Sequence, residues 1–183
     1  MPFEFSSTPI SGPVVITAKR FGDDRGFFME TYRESEFAAA GIDARFAQDN
    51  HSMSARGVLR GLHFQRGEHA QGKLVRVMSG RVWDVAVDIR PDSHSFLKYF
   101  GLELSADNGV MLYLPPGFAH GFVTLEDNTH FLYKCTTEYN RESEAGIRWD
   151  DPAIGIEWPL VDVTVSDKDM ALPFSPDSDF GRI

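Results

Sequence analysis

Short apolar segments with strand-like alternation recur at intervals of roughly 8–12 residues along this chain, and Gly, Pro and Asp separate them. This spacing predicts an antiparallel sandwich or barrel. No internal repeat and no low-complexity tract interrupts it. Because 183 residues suffice for one domain with a sizeable core, we expect a single all-β domain with short helical additions, at residues 34–40 and after Ser166.

The segment Gly57–Gln65 places a basic and a titratable side chain inside an apolar run that is too short for a helix. Strict alternation along a strand would point Arg60 and His63 to opposite faces. Gly61 lies between them, and a glycine inside a strand often marks a bulge, whose extra residue would bring both side chains to one side. We therefore predict a bulge at Gly61. The alternative is a hydrogen-bonded core histidine and a surface arginine.

The segments Lys73–Val77 and Arg81–Ile89 resemble two strands of an antiparallel hairpin joined by a Ser-Gly turn. Alternate residues of the second strand form one apolar face, whereas the other face carries Asp84 and Asp88. Two carboxylates would be costly in a dry core, so we expect this face to meet water, a cation or a polar pocket. Lys73, at the start of the neighbouring strand, is a candidate partner.

Charge and composition argue against several classes of function. The formal net charge of -9 and the pI of about 5.1 make nucleic acid and anionic membranes poor partners. No apolar run approaches the roughly 18 residues of a membrane span, and the amino terminus lacks a signal-peptide pattern, so we expect a cytoplasmic protein. The single cysteine, Cys135, excludes an intramolecular disulfide, and its apolar surroundings predict a buried side chain.

The chain lacks a phosphate-binding loop, a dinucleotide fingerprint, GxSxG and HExxH, which removes the commoner nucleotide and hydrolase classes. Histidine, tyrosine and a cation together suit proton transfer, because they can supply a base, an acid and a positive charge for an enolate. The residues on predicted strands that could face one cavity in this way are Arg60, His63, Lys73, Asp84, Asp88, His120 and Tyr133.

A metal centre is the competing interpretation of these histidines. Metal-binding cupins need two histidines one residue apart, a carboxylate and a distant histidine. His63 has Gly61 and Gln65 at that spacing, so the paired histidine is missing, although His120 could supply the distant one. We therefore expect no metal.

Seven motifs make the chain resemble the dTDP-4-dehydrorhamnose 3,5-epimerase family over nearly its whole length, and they are Phe21–Phe28, Gln48–Ser52, Leu59–Gln65, Gln71–Arg76, Asp84–Arg90, Pro116–Phe122 and Tyr133–Lys134. The resemblance implies a cupin-type jelly-roll barrel, no metal, no cofactor, and a homodimer in which the amino-terminal strands cross to the partner. It also implies one epimerase domain over residues 1–183, with a jelly-roll core at about 45–140 and a carboxy-terminal segment at about 141–183.

The reaction that this resemblance implies is epimerisation of dTDP-4-dehydro-6-deoxy-D-glucose at C3 and C5, giving dTDP-4-dehydro-L-rhamnose. Both carbons are α to the 4-keto group, so a base can form an enolate, and reprotonation on the other face inverts the carbon. By resemblance His63 is the base and Asp169 its dyad partner. Tyr133 is the acid, and Lys73 stabilises the enolate at O4.

The resemblance also implies residues that contact the substrate. Arg25 and Glu30 would reach the nucleotide from the partner chain, and the remaining contacts would come from Gln48, Asn50, Arg60, His120, Glu144 and Lys168. Periodicity alone does not favour Asp169 over Asp84 and Asp88, and Asp84 keeps an auxiliary role. Two alternatives stay open. One is a relative that inverts only C3 or only C5 of another dTDP-4-keto-deoxysugar, and the other is a noncatalytic sugar-nucleotide binder.

Overall fold

The computed structural model describes residues 2–181. The strands in this range are β1 (Phe3–Ser7), β2 (Val14–Ala18), β3 (Arg20–Asp23), β4 (Gly26–Met29), β5 (Gln48–Ser54), β6 (Val58–Gln65), β7 (Lys73–Ser79), β8 (Arg81–Asp88), β9 (Tyr99–Ser105), β10 (Val110–Leu114), β11 (Phe118–Thr124), β12 (Thr129–Cys135), β13 (Glu144–Gly146) and β14 (Thr164–Val165). The helices are α1 (Glu34–Ala39) and α2 (Asp167–Met170), with 3₁₀ turns at Gly67–His69 and Ser175–Asp177.

Eight consecutive strands, β5 to β12, form a jelly roll of two antiparallel sheets. One sheet has the order β10-β7-β12-β5, and β1 and β2 extend it beside β10. The other has the order β6-β11-β8-β9, and β13 and β14 both pair with β6. β3 and β4 form a separate hairpin. The prediction of an all-β jelly roll with short helical additions is confirmed, and no helix within residues 2–181 is long and apolar enough to cross a membrane.

Three apolar clusters hold these layers together. The first lies between the two sheets and includes Val75 of β7 and Val82 of β8. In the second, Ile147 of the carboxy-terminal segment packs against Val85 on the outer face of the β6-β11-β8-β9 sheet. In the third, Phe37 of α1 covers part of the outer face of the other sheet. The carboxy-terminal segment is therefore held by apolar burial against the sheet that carries β6.

The predicted hairpin of β7 and β8 is wrong. The two strands belong to different sheets, and the Ser-Gly connection carries the chain from one sheet to the other. Val77 and Val82, on either side of this connection, are both buried in the cluster between the sheets. The inward faces of the two strands thus pack against each other across the core, which side-by-side pairing would not allow. The alternation predicted for β8 is confirmed, because Val85 and Val87 lie in the second apolar cluster.

The bulge predicted in β6 is confirmed. His63 pairs with His120 of β11 and Arg60 pairs with Phe122, so β6 has one residue more than β11 between these two pairs. Gly61 has φ 128°, and a Cβ atom there would lie 2.6 Å from Cα of Gly121. Because no side chain fits at that distance, the bulge depends on a glycine at position 61.

The first strand, β1, was not predicted. Its residues Phe3–Ser7 pair with β2, and Phe3 is buried in the third apolar cluster. Phe3 and Phe5 alternate with polar residues as in a half-buried strand, but the run is only five residues long and pairing with β2 completes it. The helix predicted at residues 34–40 is present as α1 and ends one residue earlier.

Asp88 at the end of β8 is fully buried and does not contact Lys73. Its carboxylate accepts hydrogen bonds from the guanidinium group of Arg90, at 2.7 and 2.8 Å, and from the hydroxyls of Ser93 and Ser95. Burial acts to raise the pKa of Asp88, but these bonds outweigh it and lower the pKa to about 2. The network fixes the loop that leads from β8 to β9.

We expect Gly61→Ala to destabilise the protein, because the added methyl would meet the Gly121 backbone. Gly26→Ala is a matched control, since Gly26 has φ 127° but no atom within 4 Å of a Cβ. Both variants incur backbone strain, so the contact alone should lower the free energy of unfolding of Gly61→Ala by about 1–3 kcal/mol relative to the control. Urea unfolding measures this difference, and equal losses in the two variants would contradict it.

We expect Asp88→Asn to lower the free energy of unfolding by about 2 kcal/mol at pH 7. A depressed pKa stabilises the fold above the unfolded-state pKa, and this contribution is lost as pH falls from about 4 toward 2. The difference between wild type and variant should therefore shrink to about half at pH 3 in urea unfolding. Asp23→Asn is the matched control, because Asp23 also pairs with the arginine two residues later but is exposed. It should change the free energy of unfolding little at either pH.

Candidate active site

A cavity of about 300 Å³ opens between the two sheets of the jelly roll. Strands of both sheets and the segment around α2 contribute its lining, which consists of Ser52, Arg60, His63, Lys73, His120, Phe122, Phe131, Tyr133, Ser166, Lys168 and Asp169. The rings of Phe122 and Phe131 stack at 4.1 Å and form an apolar wall. The cavity thus brings together seven of the residues predicted from sequence, all four predicted catalytic residues among them.

His63 and Asp169 form a hydrogen-bonded pair in this cavity. Nε2 of His63 lies 2.7 Å from Oδ1 of Asp169, and the other carboxylate oxygen accepts a hydrogen bond from the backbone N–H of Gly61 at 3.2 Å. Burial acts to raise the pKa of Asp169, but the bonds from His63 and Gly61 outweigh it and lower that pKa. An ionised carboxylate can only accept, so the Nε2 atom of a neutral His63 carries the proton and Nδ1 carries the lone pair.

Asp169 reaches β6 because the chain around it is fixed at several points. β14 pairs in parallel with the start of β6, and α2 follows at once. The helix predicted after Ser166 is present, and the side chain of Ser166 caps it by accepting a hydrogen bond from the backbone N–H of Asp169. Asp169 is 4% exposed and His63 is partly exposed, so the imidazole is open to the cavity while its carboxylate partner is shielded.

Lys73 lies beside the dyad at the start of β7. Its ammonium donates to the backbone carbonyl of His63 at 3.3 Å, and the side chain is buried. Burial lowers the pKa of Lys73, whereas Cys135, Asp84 and Glu144 act in the opposite direction. A buried cation at this position can stabilise negative charge that develops on a bound molecule.

His120 and Asp84 form a second buried pair, on β11 and β8. Nε2 of His120 lies 2.9 Å and 3.1 Å from the two carboxylate oxygens of Asp84. Burial lowers the pKa of His120, although Asp84 opposes this shift. The hydrogen-bond partner of Asp84 is therefore His120, and not Lys73 as its sequence position suggested. Lys73 contributes only an electrostatic interaction with this carboxylate.

Tyr133 faces His63 from the opposite sheet. It lies on β12, whereas His63 lies on β6, and both side chains line the cavity. Burial and the neighbouring Cys135 raise the pKa of Tyr133, and Arg60 acts against this shift. The phenol is therefore held in its protonated form, able to donate a proton into the cavity.

A second opening of about 320 Å³ adjoins the cavity and shares His63, Lys73 and Tyr133 with it. Three more predicted contacts line this opening, and they are Gln48, Asn50 and Glu144. Cys135 is buried as expected and accepts a hydrogen bond from the Asn50 side chain at 3.6 Å.

Sequence reasoning missed Tyr139, which belongs to this opening. Its hydroxyl donates to Glu144 at 2.7 Å, and Lys168 donates to the other oxygen of the same carboxylate at 2.6 Å. Burial raises the pKa of Glu144, but the bonds from Lys168 and Tyr139 lower it overall. Tyr139 lies in a polar loop without strand-like alternation, so only its aromatic ring among polar neighbours could have marked it.

Arg25 and Glu30 lie outside the cavity within this chain. Arg25 is at the turn of the β3–β4 hairpin, exposed and paired with Asp23. Glu30 follows the hairpin and pairs with Arg33. Phe27 and Phe28 of the same hairpin are 62% and 66% exposed, so this element presents aromatic surface that the chain itself does not cover.

The two histidines of the metal interpretation each have an aspartate as partner. Within residues 2–181 no three side chains of His, Cys, Asp or Glu converge as metal ligands do. The cavity instead contains a histidine–carboxylate base, a protonated phenol and a buried cation. These groups can remove a proton, return one and stabilise the anion between the two steps.

Comparisons with known proteins agree with this arrangement. Residues 7–176 match the family model described as dTDP-4-dehydrorhamnose 3,5-epimerase. The chain is 53% identical to the dTDP-4-dehydrorhamnose 3,5-epimerase of Salmonella typhimurium, over 91% of this chain and 92% of that protein.

Two solved structures share the fold. One is the dTDP-6-deoxy-D-glucose-3,5-epimerase of Legionella pneumophila in complex with dTDP-4-keto-L-rhamnose, with a TM-score of 0.95, 43% identity and coverage of 99% of this chain and 98% of that one. The other is ChmJ, a 3'-monoepimerase from Streptomyces bikiniensis in complex with dTDP-quinovose, with a TM-score of 0.85, 32% identity and coverage of 91% and 85%. From its cavity, its fold and its sequence, the chain belongs to the dTDP-4-dehydrorhamnose 3,5-epimerase family.

Proposed function

We propose that the cavity carries out its family's reaction, the epimerisation of dTDP-4-dehydro-6-deoxy-D-glucose at C3 and C5, with His63 as the base and Tyr133 as the acid. The observation that carries the proposal is the position of these two residues on opposite sheets. Inversion requires that a proton leave one face of a carbon and return to the other. A sugar ring between the sheets would have the base on one side and the acid on the other.

His63 has the partner that a base of this kind needs. With Asp169 accepting from Nε2, the unprotonated Nδ1 atom is the one that takes the proton from C3 or C5. The carboxylate then stabilises the imidazolium that forms and keeps the ring in one orientation. Because Asp169 is buried and ionised, its charge acts on His63 with little screening by water.

Lys73 supplies the positive charge for the enolate. Removal of a proton next to the 4-keto group moves negative charge onto O4, and a buried ammonium in the cavity wall stabilises that charge. The apolar wall of Phe122 and Phe131 keeps the surroundings poor in water, which strengthens this interaction. Tyr133 then donates its phenolic proton to the carbon from the other side.

The nucleotide would lie toward the mouth of the cavity. Arg60 provides local positive charge in a chain whose net charge is -9, as a diphosphate requires, and Lys168, which is paired with Glu144, lines the same cavity. Gln48, Asn50 and Glu144 line the adjoining opening as candidate contacts.

Arg25 and Glu30 enter the proposal through a partner chain. The exposed β3–β4 hairpin, with uncovered Phe27 and Phe28, supports a homodimer in which this hairpin reaches the partner's nucleotide. The expected cytoplasmic location stays a prediction.

A relative that inverts one carbon is the alternative to be tested. ChmJ shares the fold and is a 3'-monoepimerase, so the fold alone does not fix how many carbons react. The higher identity to a 3,5-epimerase favours inversion at both.

We expect proton NMR of the protein with dTDP-4-keto-6-deoxyglucose in deuterium oxide, with a chelator present, to show deuterium entering both C3 and C5. His63→Ala should stop exchange at both carbons, a loss of at least about a hundredfold in rate for a general base. Deuterium at one carbon would identify a single-position epimerase. Unchanged exchange in His63→Ala would contradict the assignment of the base.

We expect Tyr133→Phe to separate proton removal from inversion. Without the phenolic proton, only protonated His63 can return a proton to the enolate, and it does so on the face from which the proton left. Solvent exchange should therefore continue at one carbon at least, while net inversion slows about a hundredfold or more. The same NMR experiment gives both rates. Equal loss of exchange and inversion would show that Tyr133 is not a separate acid.

A further inference from the structure

Two histidines lie together on the face of the first sheet that points away from the cavity. His51 is on β5, the edge strand, and His130 is on β12 beside it. Their chain neighbours Ser52 and Phe131 line the cavity, so alternation turns both imidazoles to the outer surface. The proposed function uses neither of them.

The two rings face each other through one nitrogen each. Nε2 of His51 lies 2.9 Å from Nδ1 of His130, and the ring planes are 46° apart. Within the described part of the chain, neither side chain makes another hydrogen bond or ion pair. With two neutral rings, this contact is one hydrogen bond in which one nitrogen donates and the other accepts.

The same separation suits two ligands of one metal ion. Nitrogens bound at about 2.0–2.1 Å to a square-planar or tetrahedral ion lie about 2.9–3.4 Å apart. We propose that His51 and His130 together bind one copper ion. The ion takes the place of the hydrogen bond: the ring that donated moves its proton to its remote nitrogen, so both facing nitrogens offer a lone pair, each neutral ring still carries one proton, and no proton is released. No oxidation or reduction takes part.

Two methionines and the type of ligand bear on which metal ion the pair would bind. Met53 is the register partner of His130 and, two residues from His51, lies on the same face of β5. On the other side of β12, His130 pairs with Ser79 of β7 and Phe131 pairs with Val77, so Met78 is the extra residue of β7 between these two pairs. Both methionines are more than half exposed. Imidazole binds copper, nickel and zinc, and Cu²⁺ forms the most stable complexes of the first-row divalent ions, so the two imidazoles favour Cu²⁺.

Two basic side chains share this outer face, and one of them acts against a bound cation, because Arg76 of β7 lies opposite Leu132 of β12 and has no ion pair within residues 2–181. Lys134, on the same face of β12, is paired with Asp49 at 2.8 Å, so its charge is balanced. The bound ion would link the edge strand β5 to β12. Those strands carry Ser52, Phe131 and Tyr133 into the cavity, so the link would stabilise one wall of it.

The test is a calorimetric titration of the metal-free protein with Cu²⁺, with His51→Gln and His130→Gln as variants. We expect one ion per chain in wild type and at least about a tenfold weaker affinity in each variant. His94→Gln is the matched control, because His94 is also exposed but has no histidine neighbour, and it should bind like wild type. Mg²⁺, which prefers oxygen ligands, should not bind at this site.

Two further readouts distinguish this site from the histidines of the cavity. The electron paramagnetic resonance spectrum of the Cu²⁺ complex should show coupling to two imidazole nitrogens in wild type and in His63→Ala. In His130→Gln the coupling to two nitrogens should be absent. The melting temperature should rise with Cu²⁺ in wild type and not in His130→Gln. Equal affinity in wild type and both glutamine variants, or no binding at all, would overturn the proposal.

Discussion

The extra residue in β6 is the feature on which the geometry of the cavity depends. It places Arg60 and His63 on the same side of a strand whose regular alternation would separate them. The backbone N–H of Gly61 also points toward Asp169, whose carboxylate accepts a hydrogen bond from it in addition to its hydrogen bond with His63. The bulge brings the backbones of Gly61 and Gly121 so close that neither position has room for a side chain. The geometry of the histidine–aspartate pair therefore depends on two glycines on neighbouring strands.

The jelly roll separates the reactive groups by assigning them to different sheets. β6 and β11 carry the two histidines, while β7 and β12 carry Lys73 and Tyr133. Burial favours the neutral form of each of these groups, which suits His120 and Tyr133 and opposes the charge on Lys73. It lowers the pKa of His120 and raises that of Tyr133, so both hold their neutral forms. Asp169 stays ionised because hydrogen bonds compensate for its burial.

Local sequence was sufficient for the features that follow from strand alternation. The inward set Phe131, Tyr133 and Cys135 of β12, the two faces of β8 and the bulge at Gly61 could all be predicted from periodicity and one glycine. The sheet to which a strand belongs could not. A Ser-Gly turn permits either a hairpin or a crossing between sheets, and only the shared core around Val77 and Val82 decides between them.

Contacts that join distant parts of the chain were also beyond periodicity. Asp169 belongs to a short helix in an irregular segment, and it was chosen over Asp84 by resemblance alone. Tyr139 was missed because its hydrogen bond to Glu144 arises from the folding of a polar loop. Such contacts depend on where the carboxy-terminal segment packs, and apolar residues such as Ile147 determine that position.

The dyad also has a consequence for how the protein is made. His63 and Asp169 are 106 positions apart, so the jelly-roll strands emerge from the ribosome before the carboxylate does. Until that segment packs against β6, the base lacks its charged partner and the cavity lacks one wall. On the proposed mechanism, catalytic competence therefore arises late in synthesis, and activity reports on packing of the segment that carries Asp169 more directly than sheet content does.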